Sequence, residues 1–132
     1  MVKTHIKAII ACDIQKVWDT VLNIEQYPLW RSDLSKTEIL SDRQFIEYTK
    51  DHVATTFTVT LLQPCQRWEF DIDNSHIKGH WTGIFHRTGQ RTEIQFIEDV
   101  TAKKIWMKPF VKSYLKKQQA RFVDDLKAAL KK

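Results

Sequence analysis

Few side chains in this sequence combine the type and setting that chemistry needs. Glu98 is one. It shares the two-residue alternation of Ile94 and Phe96 in the segment from Arg91 to Thr101. On that face a carboxyl sits among apolar rings, where loss of water raises its pKa and suits it to acid or base work. Glu98 also lies close to the predicted strand end, where it could instead meet water or a lysine. His76, His80 and His86 fall at even positions of one predicted strand, His76 to Arg87. That face is opposite Trp81 and Phe85, so the histidines are expected outside. Four strand residues separate His76 and His80 by roughly 13 Å, too far for one metal ion. Cys12 and Cys65 lack the spacing of a metal motif, and Cys65 has no histidine close by in sequence. No phosphate loop, G-x-S-x-G or H-E-x-x-H is written in the chain. The residues therefore name no catalytic set, no metal site and no cofactor.

The elements that would carry these side chains follow from periodicity. Lys3 to Ala11 reads as a strand. Asp13 is a good N-cap for a helix carrying Ile14, Val17, Trp18, Val21 and Leu22 at helical spacing. A second short helix is expected from Glu25 to Trp30, with Pro28 in its first turn. Six strands follow: Ser35 to Leu40, Phe45 to Lys50, Val53 to Leu62, Arg67 to Ile72, His76 to Arg87 and Arg91 to Thr101. Their hairpin-length connections make them antiparallel. Gly79 and Gly83 mark places where the sheet can bend. From Lys108 to Lys132 one long helix is expected, with Pro109 at its start. Val111, Tyr114, Leu115, Gln118, Phe122, Leu126, Ala129 and Leu130 share its apolar face, and Gln118 is the polar exception that draws notice.

Composition narrows the function classes. The 132 residues suggest one domain with a real core, and the 42% hydrophobic and 28% charged fractions are those of a globular protein. No apolar run is long enough to span a membrane, and the start MVKTHIKAII lacks a cleavage signal. With two cysteines that fit reduced thiols, the expected location is the cytoplasm. The net charge of +5 is uneven: residues 103–132 hold ten Lys or Arg against Asp124 and Asp125. This basic helix is either a solvated outer face or a docking surface for an acidic protein, a lipid headgroup or a phosphate. No nucleic-acid module accompanies it, and no nucleic-acid partner is expected.

The order of one strand, two short helices, six strands and a long helix resembles the helix-grip fold of the START-related superfamily (SRPBCC). Val17-Trp18 followed by Tyr27-Pro28-x-Trp30 resembles the pattern of its small bacterial polyketide cyclase/dehydrase-like members. The resemblance implies an α+β fold, a curved seven-stranded antiparallel sheet wrapped around the last helix. It also implies a cavity between them for an apolar small molecule or lipid. Alternation then places Phe57, Val59, Trp68, Phe70, Trp81, Phe85, Phe96 and Glu98 on the concave face, with Leu61, Ile72 and Ile94. Phe110, Tyr114, Gln118 and Phe122 would close it from the helix, and Met107, beside Trp106, would gate it or anchor the helix. The same rings could equally fill the space. Three functions stay open: non-catalytic ligand binding, a cyclase/dehydrase-type enzyme, and a protein-interaction module acting through the basic helix.

Overall fold

A computed structural model describes residues 2–131. Seven strands form one antiparallel sheet in the order β1-β7-β6-β5-β4-β3-β2. They are β1 (Val2–Ile10), β2 (Leu34–Ile39), β3 (Gln44–Thr49), β4 (Ala54–Gln63), β5 (Arg67–Asp73), β6 (Ile77–Thr88) and β7 (Arg91–Ala102). Between β1 and β2 lie α1 (Ile14–Leu22), a single 3-10 turn (Ile24–Gln26) and α2 (Tyr27–Trp30). After β7 comes a second 3-10 turn (Ile105–Met107), and then the 23-residue α3 (Lys108–Leu130). The expected last helical residue, Lys132, lies outside the described residues.

Each entry element forms for a local reason. The Asp13 carboxylate accepts a hydrogen bond from Gln15 N at 3.1 Å and caps α1. Ile14, Val17, Trp18 and Val21 then bury one stripe. Pro28 stands in the first turn of α2, where its missing N–H leaves no bond unmade. The Tyr27 hydroxyl donates to the Val21 carbonyl, which locks α2 against the end of α1. Asn74 opens β6, its side-chain oxygen accepting from His76 N and Ile77 N at 2.8 Å each. His76 therefore belongs to the turn before β6 and not to the strand.

The sheet curves because its strands are broken in specific places. Register shifts occur in β4 between Val59 and Leu61, and in β2 between Leu34 and Lys36. At Gly79 a Cβ would run into the Asp99 carbonyl and the Val100 backbone, so only glycine permits that approach. At Gly83 the missing side chain makes room for the indole of Trp81.

Helix α3 lies on the concave side and buries Val111, Leu115, Gln119, Val123, Leu126 and Leu130. The inward stripe differs from the expected one: Tyr114 is exposed, and Gln119 and Val123 replace Gln118 and Ala129 at the centre. Gln119 tolerates the interior because its amide donates to the Phe96 carbonyl at 3.3 Å. Three further bonds fix the helix from Gln119 onward. Asp125 accepts from Ser32 N at 2.8 Å and Ser32 Oγ at 2.9 Å, and Cys12 Sγ donates to the Leu130 carbonyl at 3.5 Å.

Trp18 is buried and meets Phe85 edge-on, with ring centroids 5.0 Å apart. It is the main apolar anchor of α1 on β6. Trp18→Ala should destabilise the protein by about 3–5 kcal/mol. Chemical denaturation reads this directly, and a loss below about 1 kcal/mol would show that α1 is held some other way.

Candidate functional site

Two spaces border α3 between Phe110 and Phe122. The inner one is a cavity of about 90 Å3 between the sheet and the helix, with Phe45, Phe57, Trp68, Phe70, Trp81 and Phe96 among its walls. The outer one is a groove of about 690 Å3 beside the first half of α3. It is bounded by the β3–β4 and β5–β6 turns, the 3-10 turn at 105–107 and the segment after α2. Gln118 borders both spaces, and its amide donates to the Tyr114 hydroxyl at 2.8 Å.

The residues expected at one site divide between the two. Phe57, Trp68, Phe70, Trp81, Phe96 and Glu98 line the inner cavity. Met107, Phe110 and Tyr114 line the outer groove, and Gln118 touches each. Val59 and Phe85 border neither: Val59 is half-buried beside the bulge of β4, and Phe85 is covered by Trp18. Met107 is packed on the core and so anchors the helix, while its neighbour Trp106 stays largely in solvent.

The rings leave little room inside. Trp81 stacks flat on Phe70, with centroids 4.6 Å apart and planes 4° apart. Phe45 stacks on Phe57 at 4.9 Å, and Trp68 meets Phe70 edge-on at 4.9 Å. A space of 90 Å3 suits a few waters or one polar group of a ligand, well short of the roughly 300 Å3 of a usual ligand pocket.

The inner cavity has a charged wall that composition did not reveal. Arg31, from the residue after α2, donates to Glu47 Oε2 at 2.9 Å and to Asp33 Oδ2 at 3.1 Å. Its guanidinium carbon lies 4.9 Å from the centre of the Phe122 ring and 5.1 Å from that of Tyr27. Burial alone would lower the Arg31 pKa, but the charges of Glu47 and Asp33 outweigh this and raise it. Burial raises the Glu47 pKa in spite of its Arg31 partner. Tyr27 is raised as well, by burial first and by the Glu47 charge second. Sequence reading missed this group because Arg31, Asp33 and Glu47 look like surface residues. Glu47 does alternate with Phe45 in β3, and that was the available signal.

Glu98 faces the same cavity and is only 8% exposed. The reading that put it in water at a strand end is overturned, since β7 continues to Ala102 and pairs Glu98 with both Thr4 and Trp81. Among the described residues no hydrogen bond reaches its carboxyl. Burial, with help from the Glu47 charge and against the pull of Arg31, pushes its pKa up to about 7. Trp68 Nε1 and Arg31 Nε are buried donors without hydrogen-bond partners among the described residues, and both residues line this cavity. A near-neutral acid and unpaired donors around a small void can bind or protonate one polar group.

The histidines lie elsewhere. His80 sits on the outer face, its ring nitrogens 2.8 Å from Asp71 Oδ1 and 2.7 Å from Glu69 Oε1. His86 is exposed, and His76 borders the groove.

Comparison with known proteins identifies the family. The profile described as polyketide cyclase/dehydrase and lipid transport matches residues 1–131. The chain belongs to this family. A START superfamily protein from Mycobacterium smegmatis superposes with a TM-score of 0.90 at 16% identity, covering 98% of this chain and 97% of that one. The Zhui aromatase/cyclase of a Streptomyces species gives 0.83 at 12% identity, covering 97% and 92%. The protein XoxI of Bacillus cereus gives 0.84 at 10% identity, covering 98% and 95%. At such identities these likenesses concern the fold. No curated protein matches the chain significantly. The expected START-like fold, with its curved sheet and long terminal helix, is thus present.

Glu98 supplies a pH test. Its carboxyl holds a proton in the folded state up to about pH 7, whereas an unfolded glutamate releases it near 4.5. The folded state thus binds more protons between these values, and the Glu98 contribution to stability falls as pH rises from about 4.5 to about 7. Glu98→Gln imitates the neutral acid. It should therefore melt close to wild type at pH 5 and clearly above it at pH 8, by an amount on the order of 3 kcal/mol at most. An equal difference at both pH values would mean that Glu98 is not a buried neutral acid.

Proposed function

We propose that this protein binds an amphipathic small molecule, with the apolar body in the groove beside α3 and the polar end turned toward Glu98. The observation that carries this reading is the groove itself. Its 690 Å3 falls in the range of small-molecule sites, and Val53, Ile77, Met107, Phe110 and Val111 give it apolar walls. Gln118 separates it from a cavity that Glu98 lines and in which, among the described residues, Trp68 N–H has no hydrogen-bond partner. A hydroxyl or carbonyl passing the Tyr114–Gln118 pair finds a donor and an acid there. The family description, with its lipids and polyketides, names molecules of this kind.

A second reading rests on Glu98 alone. An acid with a pKa near 7 can protonate a ketone or remove a proton next to one, which is the step a cyclase or dehydrase needs. Binding and catalysis then share one site, and Glu98→Gln separates them by sparing affinity while abolishing turnover.

Thermal melting with a panel of fatty acids, sterols and polyphenolic ketones tests the binding reading. At least one compound should raise the melting temperature by mass action. Val53→Trp, which fills the groove, should remove that shift while leaving the free protein's melting temperature within a few degrees of wild type. Gln118→Leu should weaken polar compounds by about tenfold and apolar ones little. A panel without any shift would defeat the binding reading.

A further inference from the structure

The groove opens next to a cluster of strongly exposed large apolar residues. Ile105 is 82% exposed, Trp106 67% and Phe110 66%. They project from the 3-10 turn and the first turn of α3, and Tyr114 extends the stripe one turn further. Large apolar groups clustered at one corner are costly in water and mark a contact surface. The segment that carries them holds charge of one sign. Residues 102–123 contain seven Lys or Arg and neither Asp nor Glu. Lys104, Lys108 and Lys112 have no acidic partner among the described residues, and Lys117 and Arg121 continue the Phe110–Tyr114 stripe at helical spacing. The groove's acidic groups, Asp33 and Asp51, come from other elements, and Asp33 is already bonded to Arg31.

We propose that this corner docks on an anionic lipid bilayer, with Ile105, Trp106 and Phe110 entering the interface and the lysines around them meeting the headgroups. Aromatic rings with a polar or charged collar are the side chains that settle at a lipid–water boundary. An acidic protein would satisfy the lysines but gives no reason for three bare apolar groups at the tip. The anchor is peripheral, since no helix among the described residues is long and apolar enough to cross a membrane. Docking here would set the groove mouth against the bilayer. The inference stands on the exposed corner and holds whatever the groove binds.

Flotation with phosphatidylcholine vesicles, with and without phosphatidylserine, tests it. Wild type should float with the anionic vesicles and not with the neutral ones, and added salt should release it. Trp106 emission should shift to the blue on binding. Trp106→Phe should keep the binding and lose the shift. Trp106→Ser with Phe110→Ser should abolish flotation, and K104Q/K108Q/K112Q should weaken it by on the order of tenfold or more. These side chains are exposed, so all variants should melt like wild type. Absence of flotation with either vesicle would overturn the proposal. So would equal flotation with both vesicles, or undiminished flotation of the double serine variant. Binding to polyglutamate but not to vesicles would overturn it in favour of an acidic protein partner.

Discussion

The ring of Phe122 is the point at which the parts of this fold meet. It stands edge-on to Tyr27, Trp30 and Phe96, at centroid distances of 6.5, 5.5 and 5.5 Å. The Arg31 guanidinium lies over its face. One side chain of α3 thus touches α2, β7 and Arg31, the only cation among the described residues on the inner cavity's wall. The edge-to-face contacts stabilise the joint, and the aromatic faces partly replace the water that Arg31 gives up. Once Arg31 is fixed there, Glu47 and Asp33 must follow it inward, because a lone buried cation is far more costly than a paired one.

That arrangement determines what the interior can do. Arg31 gives its two terminal nitrogens to Glu47 and Asp33, and among the described residues neither bond reaches Glu98. Burial above all, with the Glu47 charge added to it, then keeps the Glu98 proton in place to about pH 7. The stacked rings shrink the concavity to a volume for a polar group and leave the apolar volume outside, by the start of α3. The buried acid and the apolar groove are thereby set apart, with Tyr114 and Gln118 between them. Helix α3 reflects the same division. From Gln119 onward it is bonded to the sheet and to the segment after α2, while its first half is seated by Val111 and Leu115.

Local pattern was enough to reveal the elements. The Asp13 cap, the Pro28 turn and the alternation of β5 and β7 each act over a few residues, so each is visible in sequence. The concave rings were also legible, because strand alternation assigns faces directly. Contacts between distant segments were not. Arg31, Glu47 and Glu98 come from three elements, and nothing local says that they converge. The helix face slipped because Gln119 is polar by type and apolar by location, its amide being spent on the Phe96 carbonyl. Val59 and Phe85 were placed at the site by alternation alone. A bulge removed the first, and the second is covered by Trp18.

The most direct measurement is carbon-13 NMR titration of the Glu98 carboxyl in the folded protein. A single midpoint near pH 7 is expected, well above the ordinary 4.5. A midpoint in the ordinary carboxylate range would mean that Glu98 is solvated or paired. The inner cavity would then hold no acid for a ligand to meet.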